Sequence, residues 1–312
     1  MLKKLLIIVM LVLIVSLLAS CSSNVSLNIE KGEISNSEGE LLEYYLGKKS
    51  KNELSDKLLV VIQGSGRESI KKRFGMGAEG VKLGFDILYL EKYAFDNKEM
   101  FEKTNCLERR IKDIEFVTNH VIKEVYNNSL KEVLILADSE GGGIAPQIAS
   151  DIQEITHMII MGAGGYSQGK ELEILLKQEL SSAGKGMFEK VGIRNKEDLQ
   201  NKFVEIRNNP SPDKYWLGCT YKRWNSYLDY SSEEYIAGLD IPVLYIIGKE
   251  DKMVPYQSVE YLANNLGNKN NFRFEIIPEL NHSFNDKSGN NQMKKIMKKI
   301  ILPWYKENKI ER

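Results

Sequence analysis

The chain has 312 residues, of which 42% are hydrophobic and 28% are charged. A chain of this length and composition can bury a full core, which argues against disorder and for one globular domain with room for an inserted subdomain. Its 43 basic and 43 acidic residues balance, so the sequence lacks the excess positive charge that would indicate nucleic acid as a partner.

The first 20 residues predict a signal peptide. Lys3 and Lys4 form a short positive region, and residues 5–18 are apolar. This apolar stretch is shorter than the roughly 20 residues that a membrane-spanning helix needs. We therefore interpret residues 1–20 as a leader and not as a membrane span.

The leader ends in Leu18-Ala-Ser-Cys21, which is followed by polar residues. This sequence resembles the bacterial lipobox, in which the cysteine is acylated and becomes the new N-terminus; an ordinary secretory signal is the alternative. The resemblance implies that a lipid on Cys21 holds the protein at a membrane surface. Residues 21–30 would then be a tether, and residues 31–312 a domain that lies outside the cytoplasm.

After the tether, short β-rich runs alternate with longer helical ones, which predicts a mostly parallel sheet with helices on both faces. The inner runs are continuously apolar, as is typical of strands that are buried on both faces. Phe272, Phe274 and Ile276 alternate with charged residues, so we expect the last strand near an edge of the sheet. The eight predicted strands are residues 25–34, 41–46, 58–62, 86–90, 133–136, 158–161, 243–247 and 272–277.

Helices are predicted between these strands. The clearest spans residues 107–126, where apolar side chains recur at helical spacing, and a final helix lies near 292–302. Between about 164 and 240 the strand pattern stops, and the segment contains two helical runs, 171–180 and 196–207, and an aromatic-rich stretch. We therefore predict a helical cap that is inserted between the sixth and seventh strands.

A candidate nucleophile follows the fifth strand, in the sequence Ala137-Asp-Ser139-Glu-Gly141. A serine between a buried strand and a helix, with small residues two positions away on either side, is typical of a nucleophile elbow, although glycine is usual where this chain has Ala137. At the helix N-terminus the Ser139 hydroxyl gains from the helix dipole, and the N–H of Glu140 is free to face an oxyanion. The motif alone also occurs by chance.

A second signal is the apolar strand at 58–62, which opens into Gln63-Gly-Ser-Gly66. In enzymes with a nucleophile elbow, the loop after this strand supplies the other N–H of the oxyanion hole. That role falls here to Ser65. An ordinary turn after a strand is the alternative interpretation of this stretch.

The chain has three histidines, and their positions distinguish them. His120 lies within the predicted helix 107–126 and His157 opens a strand, so both are expected to be structural. His282 lies in a loop after the last strand, at the edge of the sheet where Ser139 is expected. An imidazole can take the serine proton and return it to the leaving group near neutral pH, which makes His282 the candidate general base.

Asp251 is the candidate acid that orients His282. It follows the strand at 243–247, in the sequence Gly248-Lys-Glu-Asp251, and an aspartate there would hold the histidine tautomer and stabilise the imidazolium. Its neighbour Glu250 is the alternative.

The order serine, aspartate, histidine, each after its own strand, resembles the α/β-hydrolase superfamily across nearly the whole mature chain. Within it, Gln63-Gly-Ser-Gly66 and Ser139-Glu-Gly-Gly-Gly-Ile-Ala-Pro146 are similar to bacterial esterases related to prolyl oligopeptidases, which usually have histidine in place of Gln63. The resemblance implies the α/β-hydrolase fold and hydrolysis of a small or medium carboxylic ester through an acyl-enzyme on Ser139. It implies no cofactor.

Specificity is expected to depend on the cap and on the glycine-rich loop. Trp216 and Trp224 belong to the aromatic stretch of the cap and are candidates for contact with an apolar acyl group or an aromatic alcohol; packing between cap and core explains them as well. Arg67 is a candidate for pairing with a substrate carboxylate, with a solvated loop arginine as the alternative.

Two cysteines remain after Cys21. Cys106 lies near a helix start and Cys219 in the cap, so we expect two separate buried thiols, with a disulfide as the alternative outside the cytoplasm. No metal-ligand spacing of cysteine or histidine occurs in the sequence, so no metal site is predicted.

The sequence leaves other functions open. A thioesterase or a peptidase would use the same fold and the same three side chains. A surface lipoprotein that kept the fold as a non-catalytic binding module belongs to a different class, although the presence of all three residue types in order weighs against it.

Overall fold

The computed structural model describes residues 26–182 and 186–310. The predicted leader, the predicted lipidation site Cys21 and the first half of the predicted tether therefore lie outside the described residues. Within the described ranges, no helix combines the length and the hydropathy of a bilayer-spanning segment.

Eight of the strands form one sheet, in the order β1-β2-β4-β3-β5-β6-β9-β10. The β1–β2 and β2–β4 pairs are antiparallel and the other five pairs are parallel, so the predicted mostly parallel eight-stranded sheet is confirmed. The strands in the described ranges are β1 (Asn28–Ser35), β2 (Leu41–Lys48), β3 (Lys57–Ile62), β4 (Asp86–Leu90), β5 (Glu132–Asp138), β6 (His157–Met161), β7 (Tyr215–Trp216), β8 (Cys219–Thr220), β9 (Val243–Gly248) and β10 (Phe272–Ile277).

Helices cover both faces of this sheet. The described helices are α1 (Lys98–Thr104), α2 (Leu107–His120), α3 (Glu140–Asp151), α4 (Gln168–Leu180), α5 (Met187–Lys190), α6 (Lys196–Asn208), α7 (Tyr221–Tyr227), α8 (Glu233–Ala237), α9 (Gln257–Leu266), α10 (Met293–Ile296) and α11 (Leu302–Asn308), with 3₁₀ helices at Ile70–Arg73 and Ala78–Leu83. Wider π-helical turns at Val121–Val125 and Met297–Ile301 continue α2 and α10. The predicted helix 107–126 is thus confirmed, and the predicted final helix extends further, to Asn308.

Alternating side chains of the inner strands explain why both faces are covered. Leu58 and Val60 of β3 pack with α2 and α3 on one face, whereas Leu59 and Val61 pack with the C-terminal helices on the other. A strand with two buried faces must be apolar at every position, which is the pattern that made β3 recognisable in the sequence. β10 lies at the edge of the sheet, as predicted, and is only half-buried beyond Phe272.

Between β6 and β9 the chain leaves the sheet and forms α4 to α8 with the short β7–β8 hairpin. This segment has a hydrophobic cluster of its own, which is separate from the two clusters that cover the sheet. Because the insertion begins just after β6, beside the end of β5, its helices lie next to the point where Ser139 leaves the sheet.

Helix α3 lies unusually close to the sheet because its first turn is rich in glycine. A β-carbon on Gly141 would stand only 2.4 Å from the carbonyl oxygen of Ile62 at the end of β3. A side chain at this position would push the helix away from the sheet, and with it the turn that carries Ser139. Gly143 lies in the same turn, but a β-carbon on it would have no neighbouring atom within 4 Å.

We expect Gly141→Ala to destabilise the protein by about 1–3 kcal/mol, because its methyl group overlaps the Ile62 carbonyl. Gly143→Ala is the matched control: its methyl group meets nothing, and alanine is the better helix former by up to about 1 kcal/mol, so this variant should be as stable as the parent or more so. Equilibrium urea unfolding of the two variants measures both effects. Equal stability of the two variants would contradict the close packing described here.

Candidate active site

Ser139 occupies a strained turn at the carboxyl end of β5. Its φ of 51° and ψ of −122° lie in a region that residues other than glycine rarely adopt. Its N–H donates to the carbonyl of Met161 in the neighbouring strand at 2.8 Å, which helps to hold the turn. Such strain persists only where the surroundings enforce it, and it is concentrated at functional sites.

The glycine-rich loop after β3 approaches this turn from the opposite side. A β-carbon on Gly64 would lie 3.0 Å from the β-carbon of Ser139. A side chain at this position would crowd the Ser139 β-carbon, so glycine suits the close approach of the loop.

His282 connects Ser139 to Asp251. Its Nε2 lies 3.0 Å from the Ser139 Oγ, and its Nδ1 lies 2.7 Å from Asp251 Oδ2. In the tautomer that fits both contacts, Nδ1–H donates to the carboxylate and Nε2 accepts from the hydroxyl. The structure thus brings the three side chains predicted from the sequence into one hydrogen-bonded chain.

The Asp251 carboxylate is held in place by the loop that follows β9. It is 4% exposed, and its Oδ1 accepts from the N–H groups of Met253 and Val254 at 2.8 and 2.9 Å. This leaves Oδ2 for the imidazole. Glu250, the alternative considered from the sequence, is exposed.

The environment of His282 favours its protonated form. Burial of the ring lowers its pKa, but the hydrogen bond to Asp251 and the charges of Asp251 and Asp138 raise it by more, so that the pKa is raised overall. A base with this pKa can hold the proton that it takes from a serine.

The two residues predicted to donate to an oxyanion line the same cavity as Ser139. Glu140 is the first residue of α3, where a backbone N–H has no acceptor within the helix. Ser65 lies in the glycine-rich loop that follows β3, the strand next to β5. Both predicted donors therefore contribute to the wall of the cavity that contains Ser139.

Lys92, which the sequence did not indicate, holds the glycine-rich loop through two hydrogen bonds. It lies just beyond β4, is only 7% exposed, and its Nζ donates to the carbonyls of Gly64 and Gly66 at 2.6 and 2.5 Å. These two carbonyls flank Ser65, so the lysine fixes the direction of the Ser65 N–H. Burial lowers the pKa of Lys92 far below its usual value.

The side chain of Glu140 forms a second buried centre that the sequence did not indicate. Its Oε1 accepts from Arg110 of α2 at 2.5 Å, and its Oε2 accepts from Arg223 of α7 at 2.5 and 3.0 Å. Arg110 also donates to the Gln63 carbonyl at 2.8 Å, and Arg223 to Gln168 Oε1 at 2.7 Å. Burial alone would raise the pKa of Glu140, but the charges of the two arginines outweigh it and hold this pKa at about 2.

A cavity of about 180 Å³ opens above Ser139, between the sheet edge and the cap. Its wall from the cap includes Glu171, Leu172, Leu175, Trp224 and Tyr227. The cavity is large enough for a small or medium acyl group but not for a folded chain.

Of the three residues proposed to contact substrate, only Trp224 reaches this cavity. Trp216 packs behind Trp224, with ring centroids 5.3 Å apart, and its carbonyl accepts from the Trp224 indole N–H, so it belongs to the cap core. Arg67 lies outside the cavity wall, and its guanidinium donates to the carbonyl of Phe95 at the surface. The structure therefore does not bring Trp216 or Arg67 to the cavity that contains Ser139.

The other two histidines lie away from the site, as expected. His157 is fully buried and contacts the carbonyl of Asn308 through Nε2, and His120 lies near the hydroxyl of Tyr44. Cys106 and Cys219 are both free thiols, and Cys219 lies on the wall of the cavity.

Several solved structures have the same architecture. An esterase from Pyrococcus furiosus superposes with a TM-score of 0.57 at 14% sequence identity, over 91% of this chain and 92% of that one. A thermostable carboxyl esterase from Bacillus coagulans gives 0.60 at 15% identity, over 91% and 100% of the two chains. An acylaminoacyl peptidase from Pyrococcus horikoshii gives 0.57 at 14% identity, over 92% of this chain and 43% of the peptidase.

No protein-family model matches the sequence, and no curated protein is significantly similar to it. The structural similarity at these identities concerns the fold. Together with the strand order and the parallel register, it shows that the chain has the α/β-hydrolase fold, as the sequence predicted.

We expect Glu140→Gln to destabilise the protein at pH 7 by about 3–5 kcal/mol, because two buried guanidiniums lose their common partner. The folded-state pKa of Glu140 is depressed from 4.5 to about 2, so its stabilising contribution is complete above pH 4.5 and is lost as the pH falls towards 2. Urea unfolding at several pH values measures this difference. The exposed Glu154→Gln is the control, and a Glu140→Gln variant as stable as the parent at pH 7 would disprove the interpretation.

Proposed function

We propose that this chain, which has the α/β-hydrolase fold, is a serine hydrolase that cleaves small or medium carboxylic esters through an acyl-enzyme on Ser139. The observation that carries the proposal is the hydrogen-bonded chain from Ser139 through His282 to Asp251, beneath a cavity of about 180 Å³. The esterases with the same fold support it by analogy.

In the first half of the reaction, Ser139 Oγ attacks the ester carbonyl while His282 Nε2 takes its proton. The carbonyl π electrons move to oxygen, and this oxyanion accepts from the N–H groups of Ser65 and Glu140. Asp251 orients the ring and stabilises the imidazolium. When the tetrahedral intermediate collapses, the bond to the leaving oxygen breaks and His282 gives its proton to the departing alcohol.

The second half repeats these steps with water in place of serine. His282 takes a proton from water as its oxygen attacks the acyl carbon, the same two N–H groups hold the oxyanion, and the proton returns to Ser139 as the acid leaves. Each step uses groups of this chain and water alone.

For its location, we propose that a lipid on Cys21 anchors the mature domain at a membrane surface outside the cytoplasm. The sequence of residues 1–24 supports this proposal. Labelling of growing cells with an azide- or alkyne-bearing fatty acid, compared between the parent and Cys21→Ser, is the direct test, and labelling of both alike would refute it.

We expect Ser139→Ala to remain folded and to lose roughly 10³-fold or more of the turnover of short p-nitrophenyl esters, because the nucleophile is removed. The same variant should not react with a fluorophosphonate, which is captured covalently only by an activated serine. The exposed Ser288→Ala is the control and should keep both activities. Fluorophosphonate labelling of Ser139→Ala, or unchanged ester turnover by this variant, would refute the proposed function. A parent protein that neither turns over esters nor reacts with the fluorophosphonate would favour a binding module.

We expect Lys92→Met to lower kcat for the same esters by roughly 10-fold or more while KM changes little, because the Ser65 N–H acts mainly on the oxyanion of the transition state. Methionine matches the length and the apolar stem of lysine, and circular dichroism checks that the variant folds. The exposed Lys82→Met is the matched control. If kcat is unchanged, or if only KM rises, Lys92 does not position the loop for catalysis.

A further inference from the structure

Glu171 is a buried carboxyl group at the cavity that the proposed mechanism does not use. It lies in the first turn of α4, is 8% exposed, and contributes to the same cavity wall as Ser139. Burial raises its pKa to about 8; the nearby Ser258 hydroxyl opposes this shift, the charge of Asp251 adds to it, and His282 reduces it slightly. At neutral pH the group is therefore mostly protonated, and it can both donate and accept a hydrogen bond.

No basic side chain within residues 26–182 and 186–310 forms an ion pair with Glu171. A carboxyl group buried in this way costs stability, and neither the sheet nor the cap needs it to pack, since Leu172 and Leu175 of the same helix supply the apolar contacts. The Ser258 hydroxyl is the one hydrogen-bond partner of the Glu171 side chain among the described residues, so the carboxyl can form a further hydrogen bond with a ligand in the cavity.

Two tyrosines also contribute to the cavity wall. Tyr227 and Tyr230 both line the cavity, and their buried hydroxyls have no hydrogen-bond partner among the described residues. Next to Glu171 on α4, Leu172 and Leu175 line the cavity with apolar side chains and Gln168 with an amide. The cavity is therefore mainly apolar, with a small number of polar groups, which is the usual composition of a site that recognises a functionalised small molecule.

The charges around the cavity indicate which polar group would fit. Arg223 lines the cavity and shares Glu140 with Arg110, so two cations face one anion on this side. A cationic substrate group would meet this excess of positive charge. A neutral hydroxyl group avoids that repulsion and can exchange hydrogen bonds with a protonated carboxyl.

The acyl part of the substrate is the part that this enclosed space would hold. The acyl group stays on Ser139 after the alcohol has left, so an enclosed part of the cavity suits it. The alcohol must leave before water attacks, so an open part of the cavity suits the alcohol. Glu171 belongs to the cap helix that covers the cavity.

Building on the proposed function, we infer that Glu171 determines specificity by selecting esters whose acyl group carries a hydroxyl, which exchanges hydrogen bonds with the Glu171 carboxyl. An unsubstituted acyl chain leaves this carboxyl with the Ser258 hydroxyl as its one partner. A site built to hydrogen-bond a substrate hydroxyl discriminates strongly against the analogue that lacks it.

The test compares kcat/KM for p-nitrophenyl hexanoate with that for its 3-hydroxy, 6-hydroxy and 6-amino analogues, so that the leaving group stays constant. The parent should prefer at least one hydroxy ester over hexanoate by roughly 10-fold or more. Glu171→Leu should lose this preference, and Glu171→Gln, which can still donate and accept, should retain most of it. Leu175→Met, an apolar change in the same wall, is the matched control and should leave the preference intact.

A second measurement separates recognition from a structural role. The folded-state pKa of Glu171 is raised from 4.5 to about 8, so its burial costs nothing below pH 4.5 and progressively more as the pH rises to about 8. Glu171→Gln should therefore raise the melting temperature at pH 8 and leave it unchanged at pH 4. If Glu171 were needed for packing, the same change would lower the melting temperature at both pH values.

Three results would overturn the inference while the proposed function stands: hexanoate turnover without a hydroxyl preference, an equal loss for all four esters in Glu171→Leu, or a preference for the amino ester. Failure of the proposed function looks different, because the parent would then turn over none of the esters and would not react with a fluorophosphonate. In that case both proposals are refuted.

Discussion

The geometry of the candidate active site depends on one buried carboxylate, that of Glu140. The backbone N–H of this residue follows Ser139 directly in the chain, while its side chain is shared by Arg110 of the core and Arg223 of the cap. Arg110 also holds the carbonyl of Gln63, at the start of the glycine-rich loop. A single anion thus connects the serine turn, the glycine-rich loop, a core helix and the cap. Two desolvated guanidiniums are tolerated there only because the anion lies between them.

The strained turn at Ser139 is stable for a related reason. A non-glycine residue at φ 51° costs of order 1–3 kcal/mol, and the local sequence offers nothing that would favour it. Its stability comes from the surroundings: the hydrogen bond to Met161, the close approach of α3 through Gly141, and the ion pairs of Glu140 immediately after it. The tertiary structure therefore compensates for an unfavourable local conformation.

The sheet could be predicted strand by strand because its inner strands are apolar at every position, and this pattern is local. The positions of Ser139, Asp251 and His282, each after its own strand, were visible for the same reason. Lys92, Arg110 and Arg223 were not, because each is a charged residue whose partner lies far away in the sequence, and no spacing marks such a pair. Glu171 resembled any acidic residue of a helical turn. Its burial depends on how the cap lies over the sheet, which local sequence does not specify.

The attachment of the cap through Arg223 also restricts how molecules can pass in and out of the cavity. Swinging the whole cap aside would break the ion pair of Arg223 with Glu140 and expose apolar side chains such as Tyr227 and Ile236, which pack in the same cluster as the sheet. These contacts hold the insertion over the cavity. At the rim, Met253 lines the cavity and is 50% exposed. An unbranched, flexible thioether at this position can move aside by changing rotamer, without any displacement of the backbone.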